Sequence, residues 1–136
     1  MLQLLNKLIT HFNTKPKNLF LFDAVGALLS TSSILIVHMF FAAYLGISKT
    51  TLLYLAVAIA PLFLYSTICY LFITSITKMH VYIIGIANLM YCIVTALLVL
   101  FFLQTINIIG IAYFLVEIMI IFLVVYIEFR TAFSMA

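Results

Sequence analysis

VYIIGIANLMYCIVTALLVLFFLQTINIIGIAYFLVEIMIIFLVVYIEF, residues 81–129, contains one cluster of polar residues, Gln104-Thr105-Ile106-Asn107, and that cluster decides how often the chain crosses a membrane. A single helix over this stretch would be about 70 Å long at about 1.5 Å per residue, more than twice a hydrocarbon core of roughly 30 Å. The chain must turn back, and the polar tetrad ahead of Gly110 is the only suitable place. Two spans result, 81–103 and 108–129. Working toward the N-terminus, Thr77-Lys78-Met79-His80 and the turn-prone Gly46-Ile47-Ser48-Lys49-Thr50 delimit two further apolar runs, 51–76 and 19–45. The reading is an all-α protein with four transmembrane helices, and residues 16–136 form that domain.

Composition supports the bilayer as the main solvent. Of 136 residues, 68% are hydrophobic and 7% charged, against roughly 45–50% and 25% in soluble domains. Six Lys/Arg and three Asp/Glu are too few to cover a water-facing surface. The apolar runs are continuous rather than alternating, which excludes membrane-barrel strands. The net charge of +3 is dispersed beside apolar runs, so the cations orient the protein in the membrane and no nucleic-acid partner is expected. The N-terminus lacks a short apolar core with a small-residue cleavage site, so no removable signal peptide is expected.

Short connections predict an up-down-up-down bundle. Lys7, Lys15, Lys17, Lys78 and Arg130 then fall on one side and Lys49 alone on the other. The positive-inside rule places both termini in the cytoplasm (N-in/C-in). Before the first span, Leu2, Leu5, Leu8, Ile9 and Phe12 recur at helical spacing, which predicts a short amphipathic interfacial helix within residues 1–15, ended by Lys15-Pro16.

Ionisable groups at membrane depth are costly and usually face the bundle interior. Glu117 lies near the middle of the fourth span, where Gly110, Tyr113, Glu117, Ile121, Val124 and Glu128 form one helical stripe. With no Lys or Arg inside any span, the neutral form of the Glu117 carboxyl is expected. Helical rise groups Asp23, Asn88 and Tyr70 about 6–10 Å from the cytoplasmic face, and Ser30, Tyr91, Cys92 and Glu117 about 15–18 Å in. Asp23, Gly26, Ala27, Ser30 and His38 share a face of the first span, as do Gly85, Asn88, Cys92 and Thr95 of the third. Such residues let helices approach and hydrogen-bond to one another, which accounts for Asn88, Ser30 and Thr95 without a ligand. For Asp23 the structural role is a helix-entry acid near Lys17. Glu128 beside Arg130 reads as an interfacial ion pair. Pro61 is expected to bend the second span next to Tyr65.

No metal or cofactor site is legible. His38 is the only histidine within a span, whereas His11 and His80 lie outside, so paired haem ligation is not expected. Cys69 and Cys92 sit in apolar runs without a Cys-x-x-Cys spacing and read as small hydrophobes. No nucleophile elbow or phosphate loop is present, so nothing points to an enzyme.

Leu21-Phe22-Asp23-Ala24-Val25-Gly26-Ala27-Leu28-Leu29-Ser30, Ala87-Asn88-Leu89-Met90-Tyr91-Cys92 and Gly110-Ile111-Ala112-Tyr113-Phe114-Leu115-Val116-Glu117 resemble segments of a group of small four-helix bacterial membrane proteins. The resemblance covers roughly residues 15–130. It implies a bacterial inner membrane and four spans, and supplies no catalytic residues. Small multidrug transporters are similar in helix count only, because their essential acid lies in the first span.

The leading expectation is a non-enzymatic membrane protein, either an accessory subunit of a larger complex or a binder of lipid-like molecules. The competing one is a proton-coupled transporter acting as a homo-oligomer, with Glu117 as the proton site and Tyr65, Tyr91 and Tyr113 along the path. Asp23, Asn88, Ser30 and His38 complete the candidate set. Intramembrane redox chemistry at Cys69 and Cys92 ranks third.

Overall fold

The computed structural model describes residues 1–135, and among these it contains five helices and no strand. They are α1 (Leu2–Thr14), α2 (Pro16–Leu45), α3 (Lys49–Phe72), α4 (Lys78–Phe101) and α5 (Ile108–Ser134). The last four are each long and apolar enough to cross a membrane.

The polar clusters that delimit the runs act as caps. Pro16 opens α2 at a position where its missing N–H costs nothing. Gly46, at φ +78°, closes α2 in the left-handed conformation that glycine adopts without strain. Ser48 caps α3 by accepting from the Thr51 N–H at 3.2 Å. At the start of α4, Thr77 and His80 form a reciprocal cap in which the Thr77 N–H donates to His80 Nδ1 at 3.1 Å. Asn107 caps α5, its Oδ1 accepting from the Gly110 N–H at 2.8 Å.

The helices depart from the expected spans in ways that matter for the site. The second span, α3, ends at Phe72 rather than 76, where Ile73, Thr74 and Ser75 open a non-helical connection that runs to the Thr77 cap. Polar side chains of this kind compete with helical backbone bonds. The fourth span, α5, continues to Ser134 rather than stopping at 129, which places Glu128 inside a helix and not at its end. Within α2, residues Val37–Phe41 form a π-turn that contains His38.

α2 packs along α3 and α4 along α5, giving two helical hairpins. The hairpins meet where α3 touches α4, while α2 and α5 approach each other only locally. α1 lies against α5 and α2, burying Ile9 and Phe12. Long apolar side chains elsewhere face outward, among them Leu29, Leu97, Met119 and Phe122. That pattern suits a bilayer, where a lipid-exposed leucine costs nothing.

At one end of the bundle the connections of the two hairpins touch. The Asn107 N–H donates to the Leu45 carbonyl at 3.1 Å, and its Nδ2 donates to the Tyr44 carbonyl. One residue therefore caps α5 and ties it to the end of α2. Asn107→Ala is expected to cost about 1–3 kcal/mol, the sum of a lost cap and a stranded carbonyl. Denaturant titration in mild detergent measures it, and a loss below about 0.5 kcal/mol would contradict the double role.

Candidate functional site

Each of the four long helices contributes one polar side chain to a buried cluster: Asp23 from α2, Ser66 from α3, Asn88 from α4 and Glu128 from α5. Asn88 stands at the centre. Its Nδ2 donates to Asp23 Oδ1 at 2.7 Å and to the Glu128 carboxyl at 2.9 Å (Oε1) and 3.2 Å (Oε2). The Ser66 hydroxyl donates to Asp23 Oδ2. All four side chains are buried, Ser66 and Glu128 completely. Asp23 accepts from a hydroxyl and an amide and Glu128 from the same amide, and none of these donors is a cation. Two carboxylates facing one amide at low dielectric cannot both be ionised, so the pair holds at least one proton.

This arrangement corrects the expectation for Glu128. Its side chain turns inward to Asn88, whereas Arg130 is exposed. Residues two apart on a helix point about 200° away from each other, so sequence proximity does not make them partners. At Gly85, one turn before Asn88, α4 and α5 stand close enough that a Cβ would touch the Glu128 Cβ and the Phe129 ring at 3.6 Å, an ordinary packing distance.

Three turns along the same face of α5 lies Glu117, about 16 Å from the level of Glu128. Tyr91, three residues beyond Asn88, donates its hydroxyl to Glu117 Oε1 at 3.2 Å. The Thr95 hydroxyl is satisfied within α4 by donating to the Tyr91 carbonyl at 2.9 Å, and Cys92 Sγ lies 3.9 Å from the Ile118 carbonyl. Glu117 is 8% exposed, and its Oε2 is buried without a hydrogen-bond partner.

Beside these layers, where α2 and α5 stand apart, two cavities adjoin along Gly26, Leu29, Ser30 and Ile120. The smaller, about 260 Å³, reaches Asp23, Asn88 and Tyr91. The larger, about 610 Å³, is lined by Ser33, Tyr113 and Glu117 among apolar side chains. A Cβ added at Gly26 would meet nothing within 4 Å. The result is an apolar cleft with a polar group at each level: the four-residue cluster at one, Glu117 at the other.

Of the residues singled out in the sequence, the structure brings Asp23 to Asn88, Tyr91 to Glu117, and Ser30 and Tyr113 to the cleft wall. It does not bring Tyr65 or His38 there. The Tyr65 hydroxyl donates to the His80 carbonyl at 3.3 Å and its ring packs on Phe20, fastening α3 to the start of α4. His38 lies in the π-turn and lines neither cavity. Ser66 and Glu128 are members of the cluster that sequence reading did not assign to it. Glu128 could have been found from its place on the Glu117 stripe, whereas Ser66 gave no signal beyond being a hydroxyl in an apolar run. Among the described residues no three His, Cys, Asp or Glu side chains gather as a metal site, and both cysteines are free. Compared with protein-family models, curated proteins and solved structures, the chain finds no match.

Proposed function

We propose that the chain is a multi-pass membrane protein that takes a lipid-like molecule from the bilayer into the cleft between α2 and α5, without covalent chemistry. In this reading the spans run up-down-up-down with both termini cytoplasmic, which the distribution of Lys and Arg supports. The observation that carries this reading is the cleft itself. It has an apolar wall, a volume in the range of small-molecule sites (about 300–1,000 Å³), and lies between two helices that are both transmembrane in length and composition. A molecule entering from the side leaves one apolar environment for another, so the polar groups along the cleft supply the selectivity.

Gly26→Leu tests the reading. Leucine suits a helix better than glycine, and here its Cβ meets no neighbour within 4 Å, so the substitution starts from open space rather than a packed contact. Purified in mild detergent from its native membrane, the wild-type chain is expected to retain a defined small molecule, visible by mass spectrometry of the extracted lipid. Gly26→Leu should retain at least about ten-fold less at an unchanged melting temperature, the equivalent of about 1.4 kcal/mol in binding. Equal retention by both proteins would refute the cleft as a binding site.

A further inference from the structure

We infer that the end of the bundle where α2 and α4 begin docks on anionic phospholipid, with head-group phosphates on its cations and acyl chains on the apolar side chains beside them. This surface is separate from the cleft, whose two cavities are lined by no Lys or Arg.

Hydrogen bonds fix which cations share an end. Asp23, about two turns into α2, meets Asn88 of α4, and Asn88 also meets Glu128 near the end of α5. The start of α2, the start of α4 and the final turns of α5 therefore lie together. Lys15 and Lys17 stand at the first, Lys78 at the second and Arg130 at the third. α1 joins the same end and adds Lys7, since its His11 is 3.0 Å from Asn18 and its Phe12 ring packs on Phe22 at 5.7 Å. Lys49 stands at the opposite end, where Asn107 bonds to Leu45.

The acidic side chains are not available to these cations. The chain has three Asp and Glu residues, all buried, and their hydrogen-bond partners are Ser66, Asn88 and Tyr91. Lys7, Lys15, Lys78 and Arg130 are exposed and Lys17 is half-buried. Positive charges gathered in this way repel one another, and an external anion relieves the repulsion. A zwitterionic head group brings its own cation and leaves the excess charge in place, whereas an anionic one neutralises it.

Apolar exposure at the same end identifies what carries the anion. Leu2 and Leu4 on α1 and Met79 beside Lys78 face outward. The Tyr82 ring, one turn beyond Lys78, packs on Phe129 and Phe133 with each centroid 6.0 Å away, and Phe133 is 75% exposed. A free phosphate ion satisfies the cations and leaves these side chains in water. A phospholipid covers both, and an aromatic group beside long cationic stems is the usual anchor at a head-group boundary.

Native mass spectrometry of the full chain, from mild micelles holding equal amounts of phosphatidylglycerol and phosphatidylcholine with the same acyl chains, tests the inference. Wild type is expected to retain phosphatidylglycerol preferentially. Lys78→Gln/Arg130→Gln should lower that preference about ten-fold, and Lys7→Gln/Lys15→Gln/Lys17→Gln at least as much, whereas Lys49→Gln should change it by less than about two-fold. Gly26→Leu should leave it unchanged, whether or not that variant loses a ligand from the cleft. No preference in wild type would overturn the inference, and so would an equal loss in Lys49→Gln, which would show a response to net charge rather than to this end. Loss of the preference in Gly26→Leu would move the lipid into the cleft and overturn it too. Displacement of the lipid from wild type by an equal concentration of inorganic phosphate or of a polyglutamate peptide would replace it with a soluble anion or an acidic protein partner. Should a multiple variant fail to fold, the lipid preference of wild type, Lys49→Gln and Gly26→Leu and the two displacement measurements still decide.

Discussion

Asn88→Leu is expected to lower stability by about 2–5 kcal/mol, because it removes the one donor that serves two buried acids and leaves both carboxyls without it. The shape of the side chain is nearly kept, so packing loss contributes little. Side-chain hydrogen bonds inside membrane proteins average only about 0.6 kcal/mol, and the bonds from Asn88 to Asp23 and Glu128 would account for little more than about 1 kcal/mol at that rate. The excess is the cost of leaving Glu128 without its amide donor and Asp23 with Ser66 alone, in a site with no cation. A control separates these contributions. In an Asp23→Asn/Glu128→Gln background the acids are gone, and Asn88→Leu should then cost about 1 kcal/mol or less. Unfolding by denaturing detergent titrated into mild micelles gives all the corners of the cycle. Equal costs in the two backgrounds would show that Asn88 acts by packing alone.

The same cluster shows how far the sequence is legible. Position along a helix is a one-dimensional quantity, set by a rise of about 1.5 Å per residue. Counting from the helix ends groups Asp23 with Asn88 and Tyr91 with Glu117, and the structure makes hydrogen bonds within both pairs. Facing on a single helix is also readable, since Glu117 and Glu128 share the inward stripe of α5 and both are buried. The four long apolar helices and their capping clusters were legible for the same reason, that hydrophobicity and turn chemistry are local.

Which helices become neighbours is not local. Asn88 reaches Glu128 because α4 and α5 are close at Gly85, and Ser66 reaches Asp23 because α2 lies along α3. Neither closeness is written at a single position, so Glu128 was assigned to the adjacent Arg130 and Ser66 was not assigned at all. Tyr65 misled in the opposite way. It sits one turn from Pro61, yet its hydroxyl donates to the His80 carbonyl and its side chain lines neither cavity. The cleft itself arises from what α2 and α5 fail to fill, and Gly26 hints at it only once both helices are in place.

The other large effect is expected at Gly46. Its φ of +78° lies in the left-handed region, where a side chain costs about 1–2 kcal/mol. A Cβ there would also collide with the Thr105 carbonyl oxygen and lie 3.2 Å from Ile106 Cα. Both obstacles are backbone, so no rotamer change relieves them, and the connections must separate at a cost of about 1–3 kcal/mol more. Gly46→Ala should therefore destabilise by about 3–5 kcal/mol in total. Gly26→Ala provides the contrast within one protein, since that glycine is helical and faces open space. It should change stability by less than about 1 kcal/mol and in the stabilising direction. The separation forced at Gly46 also bears on the bonds that Asn107 makes to Tyr44 and Leu45, so Gly46→Ala and Asn107→Ala should be less than additive, by about 0.5–2 kcal/mol. Strict additivity would mean that the two residues support the bundle independently, and that the contact between the hairpin connections is not the unit they share.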